Sequence, residues 1–318
     1  MNTTGYFTHP DCKKHEMGAG HPECPERLDA IDDWLLVTGV AAALDQREAP
    51  LAALGDIELA HDRSMVAGIR GLSDALADEI NAGGPSHAQI DPDTSLNVHS
   101  WNSALRAAGA TIAATDAVMA GEMENAFCAV RPPGHHACRD HAMGFCIFNS
   151  VAVAAKYALA RHGLKRVAII DFDVHHGDGT EDIFKDNPNV MLCSTFQHPF
   201  YPYRGADTRS KNMINVPMNA RANGGDFKKV FETELKPALE AFKPEIIFVS
   251  AGFDAHVNDP LADLALIEED YVWMTEFTEK IAEKYAKNRI ISSLEGGYHL
   301  PSLAQSAWAH IDTLSKNG

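Results

Sequence analysis

The chain has 318 residues, 45% of them hydrophobic, enough to bury a substantial core in one large α/β domain or two smaller ones. A formal net charge of -17 and a pI near 5.3 work against nonspecific nucleic-acid binding, which needs a basic surface to displace counterions from phosphates, and favour a cationic substrate or product. The six cysteines are scattered without a C-x-x-C pair, the first residues lack an apolar signal core, and no stretch approaches the roughly 20 apolar residues of a membrane span, so a soluble protein of the reducing cytoplasm, away from membranes, is expected.

A short strand is expected at 4–7, followed by a loop full of turn residues, HPDCKKHEMGAGHPECPERL. Pro25 suits a first helical turn, and Leu28, Ile31, Leu35 and Leu36 form an apolar stripe as far as Gly39. A second helix is expected over 64–80, after a connection at 50–62. Residues 81–97 read as a long turn-rich loop carrying Asp91 and Asp93, and loops of that length are often functional. Leu105, Ala108, Ile112, Thr115 and Met119 continue a helical period over 100–120, a stripe that belongs in the core.

From there the pattern alternates. Strands are expected at 126–130, 167–170, 190–194, 246–250 and 290–294, with helices at 149–162, 226–242, 267–286 and 302–314. This alternation predicts an α/β protein with a parallel sheet. Residues 195–224 show no clear helix and carry FQHPFYPYRGADTR, an aromatic loop suited to lining a pocket. No repeat, low-complexity tract or linker interrupts the order, so one domain over 1–318 is expected. No exposed apolar stripe or heptad stands apart from the core pattern, and monomer and homo-oligomer both stay open.

Polar residues that do not suit a core fall at the carboxyl ends of these strands: RPPGHH (131–136), DFDVHHGDG (171–179), AGFDAH (251–256) and EGGY (295–298). In open parallel sheets those ends share one edge, and ligands bind in the crevice outside them. Because side chains alternate along an extended segment, Asp171, Asp173 and His175 are expected to leave their strand on one side. Two carboxylates and an imidazole match a zinc site that keeps a coordination position open. Alone, the D-x-D-x-H run fits an acidic loop equally well, Asp254 a turn or helix cap, His135-His136 a polar loop, and Tyr298 an interfacial aromatic. Together they supply the parts for metal-assisted hydrolysis: a third carboxylate, two acid/base imidazoles and a phenol on one edge.

RPPGHH, DFDVHHGDG, AGFDAHVNDPL and EGGY, with GHPECPERL near the N-terminus, occur in an order that resembles the zinc-dependent histone deacetylase superfamily, above all its class II-like and microbial branch of histone deacetylase-like and acetylpolyamine amidohydrolases. The resemblance covers essentially the whole chain. It implies the arginase/deacetylase fold, a three-layer αβα sandwich around a mainly parallel sheet of about eight strands, more than the sequence pattern alone yields. It also implies hydrolysis of an N-acyl amide, with acyl-lysine first and an acetylpolyamine or another small acylated amine as the alternative.

Residue by residue, the resemblance makes Asp173, His175 and Asp254 the ligands of one catalytic Zn2+. It makes His136 the general base toward the attacking water and His135 its electrostatic partner and proton donor, with Asp171 and Asp178 orienting the two rings. Tyr298 would donate a hydrogen bond to the substrate carbonyl and then to the oxyanion. Phe145 and Tyr201 would wall the acyl-lysine channel, Tyr201 standing where the family commonly has Phe, and the Gly144 carbonyl would accept from the scissile amide. Asp93 matches the rim aspartate, with Asp91 as the alternative, and Leu261 the gatekeeper. A structural K+ or Na+ is implied near Asp171, Asp173 and His175, with Ser194 and Thr195. A two-manganese ureohydrolase of the same fold is disfavoured because Gly177 and His256 stand where it needs carboxylates. A noncatalytic acyl-lysine-binding protein is disfavoured because every expected catalytic position is filled.

Overall fold

Apolar runs between helices become strands buried along their whole length, as a sheet covered on both faces requires. In the computed structural model, which describes residues 3–317, VAIID at Val167–Asp171 and IIFVSA at Ile246–Ala251 have no exposed residue. Met1, Asn2 and Gly318, part of the expected 1–318 domain, lie outside the described residues.

In chain order the strands are β1 (Thr4–Thr8), β2 (Asp45–Glu48), β3 (Ala88–Asp91), β4 (Thr94–Leu96), β5 (Asn125–Cys128), β6 (Val167–Asp171), β7 (Val190–Gln197), β8 (Met213–Met218), β9 (Ile246–Ala251) and β10 (Ile290–Leu294). Eight of them form one sheet in the order β2-β1-β5-β10-β9-β6-β7-β8, with every neighbouring pair parallel. The helices are α1 (Glu26–Thr38), α2 (Leu54–Ile57), α3 (Arg63–Asn81), α4 (Ser100–Ala120), α5 (Ser150–Arg161), α6 (Asp178–Phe184), α7 (Gly224–Val230), α8 (Lys236–Phe242), α9 (Glu268–Ile281) and α10 (Leu300–Asn317). One helical layer packs α1 on α10 and α10 on α9, and the other packs α3 on α4, α4 on α5 and α5 on α6. The sheet between them completes the αβα sandwich of the arginase/deacetylase fold. Among the described residues no helix is long and apolar enough to cross a membrane.

The two outer strands were not apparent in the sequence, for a physical reason. An edge strand needs no apolar run. β2 reads DQRE and alternates half-buried with exposed, while β8 reads MINVPM and contains Pro217, which a central strand would not tolerate. The expected loop at 81–97 holds the short antiparallel hairpin of β3 and β4. The four central strands, β5, β10, β9 and β6, are those followed by RPPGHH, EGGY, AGFDAH and DFDVHHGDG. Their carboxyl ends therefore converge at the middle of one edge, with no intervening strand.

Buried histidines tie this core together. His310 on α10 places Nδ1 2.6 Å from Thr275 Oγ1 and Nε2 2.8 Å from Ser292 Oγ on β10. His61 sets Nδ1 2.8 Å from the Cys138 carbonyl oxygen, while the Asn149 N–H donates to its Nε2 at 2.9 Å. Burial pulls His310 down to about 3 and His61 to about 4, from an ordinary value of 6.5. Between those folded values and 6.5 the unfolded chain binds more protons, so the stability these neutral rings lend is complete above pH 6.5 and lost as the pH falls. Each ring should therefore contribute a loss of up to about 1.4 kcal/mol per pH unit below its unfolded pKa. In urea unfolding from pH 7 to pH 5 the parent should lose stability relative to a His310→Gln variant; parallel curves would remove His310 as a source of pH dependence.

Candidate active site

β6 ends at Asp171, in register with Ser194 on β7 and Ser250 on β9, and the chain then turns. The strand ends there, and Asp171, expected to leave it on the same side as Asp173 and His175, is engaged by His135 and is not a member of the metal-type cluster. Asp171 Oδ1 accepts from the Asp173 N–H at 3.1 Å, and Oδ2 lies 3.0 Å from His135 Nδ1. The third member of the cluster is instead Asp254, from the turn after β9: Asp173, His175 and Asp254 bring ligand atoms within 4.8 Å of one another.

His175 Nδ1 lies 3.0 Å from Asp173 Oδ1 and 3.2 Å from Asp254 Oδ2. Main-chain amides orient the carboxylates: Val174 N–H donates to Asp254 Oδ1 at 2.9 Å and Gly296 N–H to Asp173 Oδ2 at 2.8 Å. Two glycines give them room. A Cβ on Gly252 would lie 2.1 Å from Asp173 Oδ2, and one on Gly296 would lie 2.0 Å from Asp254 Oδ2. Burial, with Asp173 adding repulsion, pushes Asp254 up to about 7. Burial works against a charged His175 ring, yet the hydrogen bond to Asp173 and the charges of Asp173 and Asp254 raise it to about 10. Both shifts express a deficit of positive charge. Asp254 Oδ2 is moreover buried without a hydrogen bond among the described residues. Two carboxylates, one imidazole and an orphaned buried oxygen fit a divalent ion of the zinc type.

The His135 and His136 rings lie tilted at 46° to each other, with centroids 4.1 Å apart. His136 Nδ1 lies 2.8 Å from Asp178 Oδ1, at the start of α6, a short helix hidden in the sequence because its first residues belong to the DFDVHHGDG motif. Asp178 Oδ2 also takes a 3.4 Å contact from the exposed Arg204. Burial disfavours a charged His135, but Asp173 and Asp171 outweigh it and raise its pKa well above the usual imidazole range. Burial and the neighbouring His135 lower His136 to about 4. The pair thus holds its proton on one ring.

Tyr298 follows a tight turn at Gly296-Gly297, where Gly297 has φ +121°. Arg27 of GHPECPERL donates to the Glu295 and Gly297 carbonyls at 2.5 and 2.7 Å, and its guanidinium lies 5.0 Å from the Tyr298 ring centroid. Glu23 pairs with both Arg27 and Arg131, so GHPECPERL braces the EGGY and RPPGHH loops. Glu295 Oε2 joins those two loops directly, accepting from Gly134 N–H at 2.7 Å and His135 N–H at 3.1 Å. None of Glu23, Arg27, Glu295 or Asp259 was singled out in the sequence as a site residue.

A pocket of about 250 Å³ opens above His136, His175 and Tyr298. Phe145, Tyr201 and Leu261 line it, together with Phe200, whose ring stacks on His175 at 5.6 Å and which carried no separate signal in the sequence beside Tyr201. Gly144 lines it too, at φ +58°, where a Cβ would strike the His136 ring at 2.7 Å. Asp93 is at the pocket, whereas Asp91 is engaged by the Gly144 N–H at 3.3 Å and the Asp93 N–H at 3.0 Å. On β7, Ser194 Oγ lies 3.0 Å from His176 Nδ1, and Thr195 Oγ1 is buried without a hydrogen bond among the described residues.

Residues 21–314 match the family model of the histone deacetylase domain. The chain is 38% identical over 304 residues to a histone deacetylase-like amidohydrolase of Pseudomonas aeruginosa, covering 93% of this chain and 77% of that one. It is 36% identical over 306 residues to the polyamine deacetylase HDAC10 of Mus musculus, covering 92% of this chain and 44% of that longer protein. Among solved structures, the crystal structure of the HDA15 HD domain superposes with a TM-score of 0.91 at 33% identity, covering 99% of this chain and 88% of that one. With the fold and the converging motifs, these matches show that the chain belongs to the histone deacetylase family and is a deacetylase enzyme.

Proposed function

We propose that the protein hydrolyses an acyl group from an N-acylated amine, with acyl-lysine the preferred form, using one zinc ion held by Asp173, His175 and Asp254. The observation that carries this reading is the narrow, aromatic-walled pocket whose floor brings His136, His175 and Tyr298 together. Such a channel accepts a long aliphatic chain and delivers one polar group to its end. When bound, the zinc supplies Lewis acidity to the scissile carbonyl and makes water easier to deprotonate.

The protein's own groups do the rest. His136, kept neutral by burial and His135, takes the proton of the attacking water. Tyr298 donates a hydrogen bond to the oxygen on which charge develops; burial and Asp254 raise its pKa, so the phenol stays protonated. His135, with its raised pKa, supplies a proton to the departing amine nitrogen. Asp178 and Asp171 fix the two rings through Nδ1. Phe145 and Tyr201 flank the aliphatic stem, the Gly144 carbonyl accepts from the amide N–H, and Asp93 binds substrate backbone amides at the rim. A K+ or Na+ beside Asp171, Asp173, His175, Ser194 and Thr195 would brace the β6–β7 ends. Six free cysteines suit a reducing compartment such as the cytoplasm.

Leu261 favours acyl-lysine over acetylpolyamine, because an apolar wall leaves a distant ammonium partly desolvated without a partner. The likeness to a polyamine deacetylase and the carboxylate of Asp93 at the pocket support the second reading. Specificity constants separate them: the parent should prefer acyl-lysine peptides, and Leu261→Glu should raise relative acetylpolyamine turnover. A parent that favours acetylpolyamine by a wide margin would reverse the choice.

Tyr298→Phe should keep fold and metal yet lose about a hundredfold or more in turnover, the cost of a deleted oxyanion donor. Unchanged turnover would remove the phenol from the chemistry. Elemental analysis should find one catalytic divalent ion per chain in the parent and much less in Gly296→Ala, whose new methyl would press on both carboxylates. Two tightly bound catalytic manganese ions in the parent would overturn the single-zinc assignment.

A further inference from the structure

Asp259 is 6% exposed and, among the described residues, has no cationic hydrogen-bond partner. Its carboxylate instead accepts three main-chain N–H groups: Leu261 on Oδ1 at 3.0 Å, and Tyr298 at 2.7 Å and His299 at 3.3 Å on Oδ2. The last two amides lie at the entry to α10, whose first turn begins with the Leu303 N–H bonded to the His299 carbonyl. Such entry amides have no intrahelical acceptor, and an anion suits the positive end of the helix dipole. A capping carboxylate usually comes from the helix's own chain. This one reaches in from the loop after β9, and the same group pins the residue that lines the pocket mouth.

The Tyr298 side chain has little else to hold it. Among the described residues no hydrogen bond engages its hydroxyl, and the ring rests between the Arg27 guanidinium and the edge of Phe145, whose centroid is 5.9 Å away. The chain before it is held only as far as the Gly297 carbonyl, by Asp173 at the Gly296 N–H and by Arg27 at that carbonyl. Among the described residues, the hydrogen bond on residue 298 itself is that of its N–H to Asp259. An oxyanion donor works only if fixed in advance, because a displacement of about 1 Å can cost a large factor in rate.

We infer that Asp259 is a positioning residue for the deacylation reaction, holding the Tyr298 phenol in its working place by clamping the Tyr298 and Leu261 backbones with the two oxygens of one carboxylate. The inference rests on the oxyanion role proposed for Tyr298. Asparagine cannot substitute, since one of its two polar atoms is a donor and would face an N–H.

A double-mutant cycle on the zinc-loaded enzyme tests this with an acetyl-lysine peptide, measuring kcat, KM and metal content for the parent, Asp259→Asn, Tyr298→Phe and the double variant. Asp259→Asn should lower kcat by about tenfold or more with full metal content and a KM within about threefold of the parent. In the Tyr298→Phe background the same change should alter kcat by less than about twofold, because no phenol is left to misplace. An equal loss in both backgrounds, or an unchanged kcat in Asp259→Asn, would overturn the positioning role while leaving the Tyr298 chemistry intact. An unchanged kcat in Tyr298→Phe alone would sink the underlying reading instead. Asp259→Glu, which keeps the charge but lengthens the arm, should reproduce the phenol-dependent loss. If neither variant yields folded, metal-loaded protein, the carboxylate is a stability element of this loop and the positioning role is overturned.

Discussion

Negative charge gathered where water is excluded is the condition that the rest of the centre answers. Asp171, Asp173, Asp178 and Asp254 are each 5% exposed or less, and Glu295 is fully buried beside them. A carboxylate in such surroundings stays ionised only when paired or richly hydrogen-bonded. Asp178 and Asp171 each have an imidazole, Asp259 has three amides and Glu295 has two. Asp173 and Asp254 share the His175 imidazole, with His135 Nε2 farther off at 3.8 Å from Asp173, and the glycines at 252 and 296 keep side-chain bulk away from both. The unmatched charge thus gathers where the proposed zinc would balance it, while Glu295, whose Oε1 has no hydrogen bond among the described residues, is pushed by burial up to about 7.

The same field separates two adjacent and chemically identical side chains. His135 looks toward Asp171 and Asp173, so a proton on it is favoured; His136 has Asp178 alone, and its charged form is opposed by burial and by the proton already on His135. Neighbouring imidazoles with pKa values driven apart are the arrangement in which one group can accept a proton while the other donates. Nothing about the dipeptide itself distinguishes them. The difference comes from α6 and β6, which present Asp178 to one ring and Asp171 to the other.

Residues that act through periodicity or motif order were legible in the sequence, and those that act through long-range contacts were not. The six apolar strands were visible as buried runs, and the resemblance supplied Asp254 where strict alternation pointed to Asp171. Asp171 is instead engaged by His135 at the end of β6. The polar edge strands β2 and β8 carry no apolar signal, so only the resemblance gave the full sheet size. Asp259 could be read only as part of D-P-L, since its partners at Tyr298 and His299 are 39 and 40 residues away. The resemblance put Asp93 at the rim with Asp91 as the alternative, and the hairpin turns Asp91 to the Gly144 amide.

Loops at strand ends pose one more problem, because they are buried here and have no ladder to satisfy their backbone carbonyls. Arg27 and Arg131 solve it with their fixed forks of donors. Arg27 takes the Glu295 and Gly297 carbonyls and Arg131 those of Cys12 and His15, while Glu23 neutralises part of their charge. Lysine, with a compact ammonium on a flexible stem, could not span two carbonyls and a carboxylate in one plane. Two guanidiniums against one carboxylate leave an excess positive charge, and part of it lies on the ring of Tyr298, where it favours ionisation less than burial favours the neutral phenol. The brace that shapes the loops therefore also moderates the acidic field above them, which explains why a motif so far from the metal cluster in sequence stands at the heart of its architecture.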